Sequence, residues 1–195
     1  MQPSRSPSPT DVLAIAGLAA AAVIGAPGCS DDPCGPGGAP STGLVASSDT
    51  VTLGYGNLSG LLGNDCPDPA APAGVISLSI EGRQTDDAAG LITLCVPRPD
   101  LLLDGDRTLG TTLSSADIRI IDLRGNASGC SFTLDTTRPP TGAAQATGVC
   151  DNGDSPAGFA LSVDGALSLQ RTCGGTMDIV SVTLRGKVAV SRRAM

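Results

Sequence analysis

The sequence predicts an all-β protein, and three observations lead to this fold class. Apolar residues recur at every second position in several segments, which is the period of a strand with one buried face. The 195-residue chain contains one Lys and one Glu, so its charged residues are mostly Asp and Arg, and Asp favours turns. Seven cysteines beside only three aromatic residues indicate that disulfides supplement an aliphatic core. We expect a single antiparallel β-sandwich or jelly-roll-like domain that is cross-linked by disulfides.

Alternation of apolar with polar or small residues marks the individual strands. Most of the predicted strands are short, and they comprise residues 51–55, 76–80, 91–96, 117–123 and 130–134. In the C-terminal segment, the even-numbered positions of residues 180–190 are apolar or Gly throughout. This segment is therefore predicted to form one long strand, in which Gly186 marks a bulge or a bend.

Two alternating runs flank Asp164-Gly165, a dipeptide that is typical of tight turns, and together they predict a β-hairpin. A two-residue turn would place Leu161 and Leu167 on opposite faces of the strand pair. A three-residue loop that also includes Val163, with Gly165 in the left-handed bulge position, places the two leucines opposite each other. We therefore predict the three-residue loop, because it leaves one face of the hairpin continuously apolar.

The cysteines predict a disulfide framework. Cys130 and Cys150 lie at equal distances from Pro140, and the Pro-rich stretch between them suits a hairpin connection in which the two thiols meet. Closing this loop would stabilise the domain by about 3 kcal/mol in the chain-entropy model, so we predict the pair Cys130–Cys150. The sequence leaves the pairing open for the other cysteines of the domain and its tether, which are Cys34, Cys66, Cys95 and Cys173.

The chain begins with the features of an export signal. Residues 12–26 form an uncharged apolar run, which is shorter than the roughly 20 residues of a membrane-spanning helix but suits the apolar region of a secretory signal. The segment Ala26-Pro27-Gly28-Cys29 follows directly and resembles the lipobox of bacterial lipoproteins. This resemblance implies that the chain is cut before Cys29 and that the thiol of Cys29 carries lipid.

Three regions follow from this interpretation. Residues 1–28 are a lipoprotein signal peptide, residues 29–41 are a tether rich in Gly, Pro and Asp, and residues 42–195 are the β domain. Lipid on Cys29 leaves six cysteines, an even number that suits three disulfides in an oxidising compartment.

The predicted location is the cell envelope. The lipid at Cys29 makes the membrane a partner, and Ser30 in the second mature position resembles lipoproteins of the outer membrane. We expect an exported protein that faces the periplasm or lies at the outer membrane, and secretion without an anchor is the alternative. An unknown envelope or extracellular partner is expected, whereas the formal net charge of −7 opposes nucleic-acid binding.

Few residues suit catalysis or metal binding. The chain has no histidine, which excludes Ser-His-Asp triads and imidazole ligands, and no cofactor is expected. Asp151, Asn152 and Asp154 are the best-placed oxygen ligands for Ca²⁺, but such residues are also typical of ordinary turns, so no metal is expected. We expect a non-catalytic binding or structural module. The alternatives are a calcium-dependent adhesion or recognition module and a hydrolase that uses paired Asp carboxylates.

Overall fold

The computed structural model describes residues 41–63, 66, 77–111, 118–151 and 156–191. These residues form ten strands and a single 3₁₀ turn at Pro99–Leu101. Within these ranges, no helix has the length and apolar character needed to cross a membrane. The strands are β1 (Gly43–Ser47), β2 (Thr52–Gly63), β3 (Ser77–Gln84), β4 (Leu91–Val96), β5 (Gly105–Gly110), β6 (Ile118–Ala127), β7 (Cys130–Leu134), β8 (Thr141–Asp151), β9 (Pro156–Cys173) and β10 (Thr176–Ser191).

All ten strands belong to one sheet, which closes on itself. The strand order is β10-β1-β2-β3-β4-β6-β5-β8-β9-β7, and β9 also pairs with β10 while β6 pairs with β7. Among the described strand pairs, β5 with β6 is the only parallel one. Every described strand pairs with a neighbour on each side over at least part of its length, so no described strand lies wholly at an edge of the sheet. The all-β, mostly antiparallel fold class is confirmed, and a continuous ladder joins strands that a sandwich would divide between two sheets.

The closure depends on the length of β9 and β10. These strands pair from Cys173 opposite Thr176 to Gly158 opposite Ser191. Gly174 and Gly175 form the two-residue turn between them with φ of 55° and 87°, values that a residue without a β-carbon adopts readily. The other side of β9 is long enough to be shared, because β8 pairs with its first part and β7 with its last part.

The hairpin predicted around Asp164-Gly165 is wrong, because β9 runs unbroken through both residues. Asp164 lies opposite Arg185, and Gly165 lies opposite Leu184. Gly165 allows strands to approach closely, since a β-carbon there would lie 2.9 Å from the carbonyl oxygen of Thr141. Residues of one parity share a face in any straight strand, so the alternation that favoured a three-residue loop fits an unbroken strand equally well.

The predicted disulfide Cys130–Cys150 is also wrong, because Cys130 is bonded to Cys173. The prediction assumed that β7 and β8 form a hairpin, whereas each of them pairs with a different part of β9. Cys130 lies directly opposite Cys173 with a Cα–Cα distance of 4.5 Å. Cys150 lies opposite Gly158, near the other end of β9.

The closed sheet has two ends, which we name by the direction of the chain. The proximal end is the end from which β1 enters, and β2, β4, β8 and β10 finish there. It holds the second disulfide, Cys66–Cys95, which joins the connection after β2 to β4 with a Cα–Cα distance of 6.0 Å. The distal end holds the turn between β9 and β10 together with Cys130–Cys173.

The core fills the inside of the closed sheet and is mainly aliphatic. All three aromatic side chains, Tyr55, Phe132 and Phe159, are buried in it. In β10 the predicted parity is confirmed, because Val182, Leu184, Val188 and Val190 are buried.

Gly186 continues the inward parity of β10 without any register shift, so it marks no bulge. It has a φ of 145°, and a β-carbon at this position would clash with the carbonyl oxygen of Gly43. Gly186 therefore lets the backbones of β1 and β10 approach each other closely.

Candidate functional site

A shallow groove, lined by both polar and apolar atoms, lies on the outer face of β5, β8 and β9. Its volume is about 290 Å³. The groove is open to solvent along the sheet, and its size suits a small polar ligand or a few residues of a larger partner. Its lining residues are Asp106, Ala143, Gln145, Ser162, Val163 and Asp164.

The ladder places the polar side chains of the groove in rows. Asp106 lies opposite Gln145, and Gln145 lies opposite Ser162, so a carboxylate, an amide and a hydroxyl cross three adjacent strands. The next outward row places Ala143 opposite Asp164. Because alternate residues of a strand point to one face, all of these positions face outward, while Ala144 and Leu161 lie in the core.

Charge is distributed unevenly across the groove. On its β9 side, Nε of Arg185 donates a hydrogen bond of 3.0 Å to Oδ1 of Asp164, and Lys187 lies opposite Ser162. On its β5 side, Asp106 has no ion-pair partner among the described residues. The groove therefore offers hydrogen-bond acceptors to hydroxyl or amine groups of a ligand, with the strongest negative charge at Asp106.

The two carboxylates of the groove lie on different strands. Asp106 and Asp164 are two strand spacings apart, which is roughly 10 Å between the backbones, and they are offset along the strands as well. Paired carboxylates in glycoside hydrolases lie about 5 to 9.5 Å apart, a distance that is measured between the carboxyl groups.

The structure describes only part of the predicted calcium site. Asn152 and Asp154 lie outside the described residues, and only the backbone of Asp151 is described, at the end of β8. In the part of the chain that the structure describes, no three Cys, Asp or Glu side chains are grouped so that they could hold a metal ion.

A buried amide at the distal end joins strands that are not neighbours. The side chain of Gln84 is 6 % exposed and bonds to the backbone of Asn126 in the way a neighbouring strand would. Its Nε2 donates to the carbonyl oxygen of Asn126 at 2.8 Å, and its Oε1 accepts from the backbone N–H of Asn126 at 3.0 Å. The Asn126 side chain in turn donates to Asp87 at 2.7 Å. Hydrogen bonds from the backbone N–H of Ala89 and from the side-chain amide of Asn126 lower the pKa of Asp87. We interpret the cluster as structural, because its groups satisfy one another.

The hydroxyl of Tyr55 reaches the same region from inside the sheet. It donates a hydrogen bond of 3.1 Å to the carbonyl oxygen of Arg124. Burial, followed by the negative charge of Asp122, raises the pKa of Tyr55 strongly. The phenol therefore stays protonated at physiological pH and acts as a hydrogen-bond donor.

Arg119 is a buried cation that the sequence analysis did not single out. It is 4 % exposed, and its Nε and Nη1 have no hydrogen-bond partner among the described residues. It lies opposite Cys95, and Cys95 lies opposite Ser79, whose buried hydroxyl likewise lacks a partner in the described ranges. Alternation along residues 117–123 places Arg119 on the outer face, but no local pattern shows that the outer face is covered there.

The residues of the predicted signal peptide and tether, including Cys29 and Cys34, lie outside the described residues. Comparison of the chain with protein-family models, curated proteins and solved structures finds no match.

Proposed function

We propose that this chain is a lipid-anchored protein of the cell envelope and that its β domain is a non-catalytic binding or structural module. The observation that carries the proposal is the pair of disulfides in the described domain, Cys66–Cys95 and Cys130–Cys173. Disulfides form and persist mainly in oxidising compartments, and their presence is compatible with an exported protein. The lipobox-like segment before Cys29 supplies the second element of the proposal, the anchor.

The cysteine count supports the anchor independently. Four of the seven cysteines are used by the two described disulfides. Cys29, Cys34 and Cys150 remain, and a third disulfide between Cys34 and Cys150 would leave Cys29 alone. A single cysteine directly after an apolar export signal is what lipid attachment requires.

The surface chemistry favours binding over catalysis. The groove on β5, β8 and β9 combines carboxylate, amide and hydroxyl groups without a nucleophile–base pair, and the chain contains no histidine to activate a nucleophile. A closed sheet provides a platform for such a groove, because β8 pairs with β5 on one side and with β9 on the other. The expected ligand is a polar group of an envelope or extracellular partner.

The mass of the mature protein tests the anchor. We expect a chain that begins at Cys29, carries added lipid mass and partitions into detergent, and we expect Cys29→Ala to remove the lipid. Cys34→Ala is the matched control, because it changes a nearby cysteine and should leave the lipid in place. An intact Met1 terminus on a protein without added mass would contradict the proposal.

Capture of partners from native membranes tests the groove. Gln145→Leu and Ser162→Val remove hydrogen-bonding groups from its centre without adding charge. Ser131→Val is the control, since it makes a similar change at an exposed position of β7. A partner that is lost with both groove variants and retained with Ser131→Val would identify the binding face, whereas equal capture by all three variants would place binding elsewhere.

A further inference from the structure

We propose that the proximal end of the β domain faces the bilayer and that Leu101 and Leu103 insert into its interface. This inference rests on the proposed lipid anchor and adds an orientation to it. Leu101 and Leu103 are 59 % and 67 % exposed, and they belong to the connection between β4 and β5. Leu61, near the end of β2, is a third exposed leucine at the same end, at 56 %.

The direction of the chain places the anchor at this end. β1 runs from the proximal end towards the distal end, and it is preceded by Ser41 and Thr42, which bond to the carbonyl oxygen of Lys187 beside the last part of β10. Only twelve residues separate Cys29 from Thr42, a stretch that reaches at most about 45 Å when fully extended. A lipid on Cys29 therefore keeps the proximal end within reach of the membrane.

The connection between β4 and β5 holds the side chains of Leu101 and Leu103 outward. Leu102, between the two exposed leucines, is buried in the core and fixes the segment to the domain. Arg98 and Asp100 form an ion pair of 2.7 Å, so approach to lipid does not expose either charge alone. Oδ1 of Asp104 accepts a hydrogen bond of 2.8 Å from the backbone N–H of Val149, which holds that carboxylate against the domain.

The distal end lacks the same combination of features. Met177, which is 63 % exposed, lies beside the turn between β9 and β10, and it is followed directly by the charged pair of Asp178 with Arg171. Among the described residues, the exposed leucines are thus grouped at the proximal end, and Met177 provides a matched control position at the other end.

Single-tryptophan fluorescence tests the orientation without background, because the chain contains no tryptophan. Leu103→Trp and Met177→Trp are made separately in the full chain, and each lipidated product is placed in zwitterionic phosphatidylcholine–phosphatidylethanolamine vesicles with brominated acyl chains. Zwitterionic lipid is chosen because the chain is acidic and anionic lipid would repel it. We expect the Leu103→Trp emission to shift to shorter wavelength and to be quenched at least twofold more than the Met177→Trp emission. Leu101→Trp repeats the measurement if Leu103→Trp does not fold.

Equal quenching of the two tryptophans, or stronger quenching of Met177→Trp, would overturn the orientation. A Leu103→Trp emission that is neither quenched nor shifted to shorter wavelength in the vesicles would also overturn it. The mass of each variant is measured first. Lipid on the protein together with an unquenched Leu103→Trp refutes only the orientation, whereas absence of lipid refutes the anchor.

Discussion

The two ends of the closed sheet each carry one described disulfide, but the two bonds join different kinds of partner. At the distal end, Cys130–Cys173 links two residues that already face each other in the ladder, and both are only partly buried. At the proximal end, Cys66–Cys95 links a residue outside the strands to β4, and the two cysteines are 1 % and 0 % exposed. The distal bond reinforces an existing strand pair, whereas the proximal bond fastens the chain across the outer face of the sheet.

This difference explains why β4 is buried on both of its faces. Ser77 and Ser79, on neighbouring β3, are also buried, so the outer face is covered at this end. Chain entropy alone does not distinguish the two bonds, because their sequence separations of 29 and 43 residues correspond to about 4 kcal/mol for each. Any difference in their effect on stability must therefore come from packing in the native state.

The largest expected effect comes from removing the proximal disulfide. Replacing both Cys66 and Cys95 with Ala should lower the free energy of unfolding by about 4 kcal/mol for the lost cross-link and by about 1 kcal/mol more for the cavity left in a buried site. Replacing both Cys130 and Cys173 with Ala should cost the cross-link alone. Urea denaturation of the two double variants measures the difference.

Reduction of the folded protein checks the same comparison. Mild reductant should open Cys130–Cys173 first, because its sulfurs lie at a partly exposed site, and Cys66–Cys95 should resist until the domain unfolds. Alkylation and peptide mapping would report the order. A distal double variant that is less stable than the proximal one, or early reduction of Cys66–Cys95, would contradict the proposed role of burial.

A smaller effect is expected at the buried amide of the distal end. Gln84→Ala removes both partners from the backbone N–H and C=O of Asn126, and it should lower the free energy of unfolding by about 1–3 kcal/mol. Gln145→Ala, on the exposed outer face, is the control and should change stability by less than about 0.5 kcal/mol. Equal stability of the two variants in urea would show that solvent replaces the Gln84 contacts without loss.

Asp135 lies after β7, between the two ends, and it links stability to pH. The hydroxyl and backbone N–H of Thr137 donate to its carboxylate, and Arg138 lies 3.4 Å away, so these groups lower the pKa of Asp135. A lowered folded pKa stabilises the domain above the ordinary Asp pKa of about 4, and this stabilisation is lost as the pH falls through the folded value. Asp135→Asn should therefore flatten the loss of stability as the pH falls below about 4 in urea titrations. A variant whose acid dependence matched the original protein would rule out this contribution.

The smallest effect is expected for the surface ion pair of Asp164 with Arg185. Their side chains are 68 % and 70 % exposed, so water screens the interaction. Asp164→Ala and Arg185→Ala should each change the free energy of unfolding by less than about 1 kcal/mol, and salt should reduce the difference further. A larger effect in a double-mutant cycle would show that this position of β9 depends on the pair.

Local alternation identified several of the strands and the side chains that point inward from them, but it marked neither β1 nor β5. The prediction for residues 91–96 matches β4, and the apolar parity predicted for residues 180–190 is the buried parity of β10. The parity of residues 158–171 was also right, since Phe159, Leu161 and Leu167 are buried. These features follow from the two-residue period of a strand, which is a local property of the chain.

Strand order was decided only by the tertiary structure. The sequence did not show whether Asp164-Gly165 reverses the chain or continues it, because a three-residue loop and a straight strand preserve the same parity. The partner of Cys130 depends on which strand lies beside β7, and symmetric spacing about a proline carries no information about a neighbour 43 residues away.

The candidate site divides in the same way. Alternation alone predicts that Gln145 and Ser162 face outward, but only the order β5-β8-β9 places them beside Asp106 in one groove. The burial of Arg119 likewise depends on segments from other parts of the sequence that cover the outer face of the sheet. Strand pairing and coverage of the outer face are contacts between segments that are distant in the sequence, so their energies depend on the whole fold. The face to which a side chain points is determined by its position within its own strand.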